Sequence, residues 1–137
     1  MNIVNQWGMN HAMGIEIQSP EFGFPLIILN IYGPCQGRMN FWNDLLLKSI
    51  IKCNNLVMGG DLNFSIGSVE AWGSSAREDP LSYFFLNSLN SNNLTDVNPI
   101  KLKPTWRNRR VGEARIAKRL DQFLLSKELT SRIPMFR

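Results

Sequence analysis

Two neighbouring strand signals joined by a short turn constrain the fold of this 137-residue chain more than any other feature. Residues 12–18 alternate apolar and polar side chains, as a half-buried strand does. Residues 19–23 are a turn cluster, and residues 25–32 form an apolar run rich in isoleucine, which is typical of a mostly buried strand. The pattern predicts an antiparallel hairpin, so a sheet made only of parallel βαβ units is excluded.

The apolar spacing then changes to that of helices and a further strand. Residues 39–52 place their apolar side chains on one helical stripe, which predicts a helix. Residues 56–58 predict a short buried strand, and residues 64–78, which are rich in glycine and serine, predict a surface loop. A second helix is predicted for residues 79–90, with Asp79 as its N-cap and a proline at its first helical position.

A second hairpin is predicted in the last third of the chain. Its arms are residues 104–108 and 118–126, and the loop of residues 109–115 between them is basic. Because helices alternate with hairpins rather than with single parallel strands, the sequence predicts an α/β (α+β) fold in which mixed, mostly antiparallel sheets are covered by helices. No repeat or linker interrupts residues 1–137, so a single domain is expected.

Charge divides the chain into two regions. Residues 1–100 carry four Lys or Arg and eight Asp or Glu, a net charge of −4. Residues 101–137 carry eleven and three, a net charge of +8, and eight of these basic residues lie within residues 101–119. An acidic body can hold cations and a basic region can hold phosphates. Charge alone leaves open that the basic region is simply a solvated surface.

Composition excludes several classes of protein. Hydrophobic residues make up 44% and charged residues 19% of the chain, as in globular domains, so disordered and fibrous chains are excluded. The longest aliphatic run, residues 26–29, is too short to cross a bilayer, and residues 1–20 show no secretory signal. Cys35 and Cys53 have the spacing of neither a disulfide scaffold nor a metal site. We therefore expect a nuclear or cytoplasmic location and no membrane partner.

The strongest candidates for chemistry lie at the ends of strands. Asp61 and Asn63 follow a buried strand two residues apart, so that a carboxylate and an amide could activate water or support a cation such as Mg²⁺. Tyr32 ends the second strand, where its hydroxyl could donate a hydrogen bond to a phosphate. The structural alternatives are an Asx-turn at Asp61 and a core or rim aromatic at Tyr32.

Asp121 is a further candidate, because it lies in an otherwise apolar arm of the second hairpin. A carboxylate in such surroundings needs a cation, backbone N–H groups or a histidine as its partner. An ion pair between Arg119 and Asp121 is the structural alternative at this position.

The order of these segments is more specific than any of them alone. In chain order, the segments are Asn-Ile-Tyr-Gly-Pro (30–34), Gly-Asp-Leu-Asn-Phe (60–64), Thr105-Trp106 and Arg-Leu-Asp-Gln-Phe-Leu-Leu-Ser (119–126). Their order resembles the endonuclease/exonuclease/phosphatase superfamily, which includes deoxyribonuclease I and apurinic endonucleases of the exonuclease III type. Residues 116–126 are most similar to the endonuclease domains of plant non-LTR (LINE-type) retrotransposons. The resemblance covers residues 14–129.

The resemblance implies a four-layer α/β/β/α sandwich that acts as a phosphodiesterase on DNA, or alternatively on RNA, with Mg²⁺ or Mn²⁺ as its cofactor. Asp61 matches the aspartate that orients or deprotonates water and would be a shared or indirect metal ligand. Asn63 and Tyr32 match residues that contact the phosphate, and Asp121 matches the aspartate that supports a catalytic histidine. The implied contacts to nucleic acid are Thr105, Trp106, Arg107, Asn108, Arg109, Arg110 and Arg115.

Two parts of the family pattern have no match in this sequence. Family domains begin with strands that carry an asparagine and the main metal-binding glutamate, and Glu16 does not lie in that context. They end with a Ser-Asp-His motif, which does not occur after residue 126. The sole histidine, His11, is expected at the surface or at a strand edge. We therefore expect residues 1–137 to be a partial domain of this family, inactive or weakly active alone.

Two other functions remain open on the sequence. Residues 101–119, with Trp106 available for stacking, could bind nucleic acid without catalysis. A phosphatase of the same fold, acting on inositol phosphates or sphingomyelin, is the other alternative. The tryptophan-bearing hairpin favours nucleic acid over the small phosphoesters.

Overall fold

The structure is a computed structural model that describes residues 1–133. The strands are β1 (Asn2–Met9), β2 (Ala12–Gln18), β3 (Leu26–Tyr32), β4 (Leu56–Asp61), β5 (Ala71–Trp72), β6 (Leu94–Asp96), β7 (Trp106–Arg107), β8 (Ala117–Lys118) and β9 (Asp121–Ser126). The α-helices are α1 (Arg38–Leu46), α2 (Ser82–Ser91) and α3 (Lys127–Arg132), and 3₁₀ turns lie at Ser49–Lys52, Ser68–Glu70 and Gly112–Ala114. Within this range, every helix is too short or too polar to cross a bilayer.

Six strands form one mixed sheet, which we call the main sheet, in the order β1-β2-β3-β4-β9-β6. The β3–β4 pair is parallel, and the four other neighbouring pairs are antiparallel. The hairpin predicted from residues 12–18 and 25–32 is confirmed, with Ala12 opposite Ile31. α1 lies between β3 and β4 in the chain and provides the crossover that a parallel pair requires. The predicted α/β class with mixed, mostly antiparallel sheets is therefore confirmed.

α1 and α2 cover one face of the main sheet, which we call the helix face. Buried apolar side chains from both helices and from four strands of the main sheet form its core. They are Leu29, Ile31, Trp42, Leu45, Leu56, Met58, Phe85, Leu89, Leu94 and Leu124. The rings of Phe64 and Phe85 stack with their centroids 3.8 Å apart. Each large apolar side chain buried here contributes about 1.5–3 kcal/mol, so the helix face is the main source of stability.

The opposite face of the main sheet, which we call the carboxylate face, is covered at one end only. Ile17 and Leu125 project from this face and pack with Leu129 of α3. At the other end, Tyr32 is 67% exposed and Phe123 is 62% exposed. Side chains alternate between the two faces of a strand. The exposed end of this face therefore displays Tyr32 from the end of β3 and Phe123 from the first half of β9.

Three short antiparallel strands form a second, small sheet in the order β5-β8-β7. Arg119 joins it to the main sheet, because this residue lies between β8 and β9 and is only 4% exposed. Its guanidinium donates to Glu70 Oε1 (2.6 Å) and to the two carboxylate oxygens of Asp96 (2.8 and 3.1 Å). Burial raises the pKa of the Glu70 carboxyl, although hydrogen bonds from the Ile66 N–H and from Arg119 oppose that rise.

Two predicted elements between residues 39 and 78 need correction. The helix predicted for residues 39–52 stops early, because Lys48 is extended (φ −72°, ψ 143°) and a 3₁₀ turn follows it. The surface loop predicted for residues 64–78 is wrong in part, because Phe64 and Ser65 are buried and β5 lies within it. Glycine and serine content indicated the absence of helix correctly but carried no information about burial.

The second helix begins two residues later than predicted. Asp79 is not the N-cap of α2, because α2 starts at Ser82. The Asp79 side chain instead accepts a hydrogen bond from the Leu81 N–H (2.9 Å) and pairs with Arg38. The Asp-Pro sequence thus marks a turn that precedes the helix.

The second predicted hairpin is wrong in its second arm. Residues 117–118 form β8, which pairs with β7 in the small sheet. The chain then enters the main sheet, where β9 pairs with β4 and β6. The arm of residues 118–126 is therefore two strands in two sheets, divided at Arg119. The sequence pattern also failed to predict three elements, which are β1, β6 and α3. These elements depend on their neighbours in the tertiary structure more than on their own periodicity.

We expect Arg119→Met to lower the free energy of unfolding by about 3–5 kcal/mol, because Glu70 and Asp96 would lose their shared cation inside the protein. Urea denaturation followed by circular dichroism measures this change. The matched change Arg110→Met, at an exposed position, should alter stability by less than about 0.5 kcal/mol. Equal effects of the two substitutions would contradict the role assigned to Arg119.

Candidate active site

Three side chains singled out from the sequence lie side by side at one end of the main sheet. Tyr32 is the last residue of β3, Asp61 is the last of β4, and Asp121 is the first of β9. The backbone register places Tyr32 opposite Asp61, and Asp61 opposite Asp121. Because neighbouring strands lie about 4.8 Å apart, the phenol and the two carboxylates project together from the exposed end of the carboxylate face.

Gly60 allows β4 to reach this position. Its φ is +122°, and a Cβ atom there would collide with the carbonyl oxygen of Ile31 in β3. Glycine tolerates both the positive φ and the close approach of the two backbones. This glycine therefore serves the packing of β4 against β3 immediately before Asp61.

The chain turns directly after Asp61, and Asn63 fixes the turn. Asp61 Oδ1 accepts a hydrogen bond from the Asn63 N–H (3.0 Å), which is the Asx-turn that the sequence left open. Asn63 has a φ of +54°, and its side-chain amide donates to the Gly33 carbonyl. The side-chain nitrogen of Asn63, a residue predicted to contact phosphate, is thus engaged within the protein, and it ties the end of β4 to the segment that follows β3.

Arg38, at the start of α1, braces this turn and is a residue that the sequence did not indicate. It donates to the Asn63 carbonyl (3.0 Å) and forms two hydrogen bonds with the Asp79 carboxylate (2.6 and 2.9 Å). Burial alone would raise the pKa of Asp79, but the hydrogen bonds from Arg38 and from the Leu81 N–H lower it overall. A charged Asp79 therefore holds the guanidinium in place at neutral pH.

The environment of Asp61 favours uptake of a proton or a cation. Burial raises the pKa of the Asp61 carboxyl, the hydrogen bond from Asn63 lowers it, and the negative charge of Asp121 raises it, with a net increase. Two carboxylates on adjacent strands repel each other, and a positive charge between them relieves that repulsion.

Asp121 is exposed and is held through its backbone. The N–H groups of Asp121 and Leu120 both donate to Thr105 Oγ1, at 3.0 and 2.9 Å. The alternative ion pair between Arg119 and Asp121 is wrong, because the Arg119 guanidinium is directed to Glu70 and Asp96 instead. The carboxylate of Asp121 is thus left available on the surface beside Asp61.

The two carboxylates fit part of a magnesium site. Mg²⁺ takes oxygen ligands and is commonly bound by one or two carboxylates, with water and substrate phosphate completing its coordination. Asp61 and Asp121 offer such oxygens side by side. Within residues 1–133, no group of three or more His, Cys, Asp or Glu side chains could hold a metal ion by itself. Among the described residues, the arrangement therefore offers two carboxylates that could hold a cation and not a closed cage.

The residues predicted to contact nucleic acid lie on one projecting segment, residues 105–118, which we call the basic hairpin. Six of the seven are exposed, and Asn108 is half-buried. Asn108 accepts hydrogen bonds from the N–H groups of Arg110 (3.2 Å) and Ile116 (3.0 Å) and donates to the Ala114 carbonyl (2.7 Å). Asn108 therefore shapes the loop, and the arginines remain at its surface.

Two other acid–base side chains lie apart from the carboxylate pair. Glu16 pairs with Ile27 in the register of β2 and β3 and so projects to the helix face, opposite to Asp61. His11 is exposed in the turn between β1 and β2, as predicted, and its carbonyl accepts a hydrogen bond from the Tyr32 N–H (2.9 Å). Its ring lies edge-on to Phe41 at 5.5 Å, so His11 reaches this end of the sheet with its ring against α1.

Comparison with solved structures shows which fold this arrangement belongs to. The structure matches that of the endonuclease domain of TRAS1, a telomere-specific non-LTR retrotransposon, with a TM-score of 0.71 and 17% sequence identity. The match covers 95% of this chain and 57% of the TRAS1 domain. The chain has the fold of a retrotransposon endonuclease domain. No family model and no curated protein matches the sequence.

We expect Asp121→Asn to lower the pKa of the Asp61 carboxyl, because the substitution removes the negative charge that raises it. A carboxyl-carbon NMR titration of selectively labelled protein measures this pKa directly. Glu128→Gln, in α3 beneath the covered end of the carboxylate face, is the matched control and should leave the titration of Asp61 unchanged. An Asp61 titration insensitive to Asp121→Asn would show that the two carboxylates do not interact.

Proposed function

We propose that this chain carries part of the active site of a metal-dependent phosphodiesterase that cuts the backbone of DNA. The observation that carries the proposal is the register of Tyr32, Asp61 and Asp121 on three adjacent strands. The basic hairpin begins at Thr105, which is hydrogen-bonded to the backbone of Asp121. A surface that attracts phosphates therefore lies directly beside a pair of carboxylates.

Each residue has a role that follows from its position. Asp61 orients the attacking water and accepts its proton, and a raised pKa makes it a better base at neutral pH. The exposed phenol of Tyr32 donates a hydrogen bond to the phosphate, and Asn63 holds the turn after Asp61 through its N–H and its side-chain amide. Asp121 would share a Mg²⁺ or Mn²⁺ ion with Asp61. When bound, the metal supplies positive charge to the phosphate oxygens.

The described residues provide an incomplete set of catalytic groups. The ring of His11 lies against Phe41, and Glu16 projects to the helix face, so neither joins Asp61 and Asp121. Each positioned acid or base contributes about 10²–10⁴ to the rate, and uncatalysed phosphodiester hydrolysis is extremely slow. We therefore expect weak activity at most for these 137 residues.

The proposed origin is a non-LTR, LINE-type retrotransposon, with residues 116–126 most similar to plant elements. The match in fold to the TRAS1 endonuclease domain supports this origin at the level of architecture. An enzyme that cuts chromosomal DNA acts in the nucleus, and free cysteines fit a reducing compartment.

A second candidate function is binding of nucleic acid without cleavage. The exposed arginines of the basic hairpin favour this binding function, because surface cations are enough to neutralise phosphates. Such binding does not need a metal site. The two functions share the basic hairpin and differ in whether Asp61 is needed, which makes them separable by experiment.

We expect excess protein to show little or no nicking of supercoiled plasmid in the presence of Mg²⁺, and Asp61→Asn or EDTA to remove any nicking that occurs, because both disrupt the carboxylate pair and its metal. Conversion of supercoiled to open-circular plasmid measures the reaction. Mn²⁺ should also broaden the amide NMR signals of Asp61 and Asp121 through its unpaired electrons.

Glu128→Gln is again the control and should retain both the nicking and the broadening. Nicking that survives Asp61→Asn would indicate a contaminating nuclease. Absence of both nicking and Mn²⁺ broadening in the unmodified chain would reject catalysis and leave the binding function.

We expect the double change Arg109→Gln and Arg110→Gln to reduce the salt dependence of DNA binding by about 1.8 in the slope of log K against log salt, or about 0.9 for each phosphate that the protein no longer neutralises. Fluorescence anisotropy of labelled duplex at several salt concentrations measures this slope. The control is the double change Lys48→Gln and Lys52→Gln, which removes the same charge from the segment after α1. Equal reductions in the two proteins would mean that net charge, and not the hairpin, binds DNA.

A further inference from the structure

A cavity of about 420 Å³ lies in the small sheet, between the basic hairpin and the segment that carries β5, and none of its lining residues belongs to the carboxylate pair. It is lined by Trp72, Gly73, Pro104, Arg107, Arg115 and Ala117. Its volume falls within the range of about 300–1,000 Å³ that is usual for small-molecule sites. Two of its six lining residues are basic and none is acidic, so the cavity is suited to a ligand that carries negative charge.

The cavity arises from a small residue placed between two large ones. Trp72 lies opposite Ala117, and Ala117 lies opposite Arg107, so the three side chains share one face of the small sheet. The two outer strands are about 9.6 Å apart, which is twice the usual strand spacing. Ala117 is only 4% exposed, so its methyl group forms the covered floor of the cavity between these two larger side chains. A slot results, with the indole on one side and a guanidinium on the other.

The walls of the slot are held together by the backbone. Gly73 has a φ of +120°, and a Cβ atom at this position would collide with the Arg115 carbonyl oxygen. Ser75 Oγ donates to the Glu113 carbonyl at 2.5 Å. The segment that carries Trp72 is thus fastened to the loop that carries Arg115, and the slot is formed before any ligand binds.

The indole of Trp72 is available to a ligand. Trp42, in the core, packs edge-on against three aromatic rings. Trp72 is only half-buried, and within residues 1–133 neither an aromatic ring nor a guanidinium is stacked on it. A large aromatic surface beside two guanidinium groups is the combination that binds a planar group linked to a phosphate.

We infer that this cavity takes one unpaired base of a nucleic-acid strand, stacked on Trp72, with a neighbouring phosphate bound by Arg107 and Arg115. A base within a duplex is stacked on both faces and cannot enter such a slot, whereas an unpaired base can. The inference rests on the proposed function in one respect, because it assumes that the substrate is a nucleic acid. It adds that the substrate is a strand with an unpaired nucleotide near the cut.

The chain limits how far this base lies from the cut. Ala117 precedes Asp121 by four residues, so their Cα atoms are separated by at most about 14 Å. Successive nucleotides of one strand advance by about 3.4 Å along a duplex. The backbone at the cavity floor therefore lies within about four nucleotide steps of the backbone at Asp121, and the bound base belongs to the same stretch of nucleic acid as the phosphate at the carboxylate pair.

A binding experiment in EDTA tests the inference without any cleavage. The probes are two short DNA duplexes of matched length, one with a single unpaired 2-aminopurine and one with that base paired to thymine. We expect the unmodified chain to bind the unpaired duplex at least about fivefold more tightly, which is the low end of the effect of stacking one base on an aromatic side chain. The 2-aminopurine fluorescence should be quenched on binding.

Variants separate the slot from other aromatic surfaces. Trp72→Ala should remove both the preference and the quenching, Trp72→Phe should retain part of each, and Ala117→Leu should remove both by filling the slot. Near-ultraviolet circular dichroism checks that Ala117→Leu keeps the native packing. Tyr83→Ala, which removes an exposed aromatic ring from α2, should change neither quantity.

The results discriminate this inference from the proposed reaction. Equal affinity for the two duplexes, or a preference that persists in Trp72→Ala, would overturn the inference even if the plasmid is nicked. Loss of the preference on Trp106→Ala but not on Trp72→Ala would place the base on the other face of the small sheet and would also overturn it. A preference that survives in Asp61→Asn while the unmodified chain fails to nick would support the inference and reject only the reaction.

Discussion

The buried guanidinium of Arg119 is the interaction on which the candidate site depends. It lies where the chain leaves the small sheet and enters the main sheet, and it is paired with carboxylates from two other segments. The N–H of Arg119 also donates to the Glu70 carbonyl (3.0 Å), so backbone and side chain hold the same junction. Arg119 is followed by Leu120 and then by Asp121, and it directly follows β8, which carries Ala117 of the slot. The position of Arg119 therefore sets the positions of both the slot and Asp121.

The candidate catalytic end of the main sheet combines a rigid backbone with unbalanced charge. Gly60, the Asx-turn at Asp61 and the brace from Arg38 leave little freedom at the end of β4. Two carboxylates are nevertheless held in adjacent positions, which costs free energy unless a proton or a cation lies between them. Structures often retain such unfavourable pairs at functional sites, where a ligand supplies the missing charge. The arrangement is therefore more readily explained by binding than by stability.

Much of the local structure could be predicted from the sequence. The first hairpin, β4 and the second helix follow from apolar periodicity within short windows, and each of these is present. The division of residues 118–126 between two sheets could not be predicted, because the apolar pattern of a strand does not indicate which other strand it pairs with. The burial of Phe64 was missed for a related reason, since its surroundings come from Trp42 and Phe85, which are distant in the chain.

The sequence by itself determined which residues are candidates for chemistry and in what order, because residue type and local spacing are properties of short segments. It indicated Tyr32, Asp61 and Asp121 separately, and a basic segment after residue 100. Only the tertiary structure decided that these three side chains are neighbours on one face, that Glu16 projects to the other, and that Trp72 borders the basic hairpin. The physical reason is that strand register between distant segments is set by burial on the two faces of a sheet, which no single segment of the chain encodes.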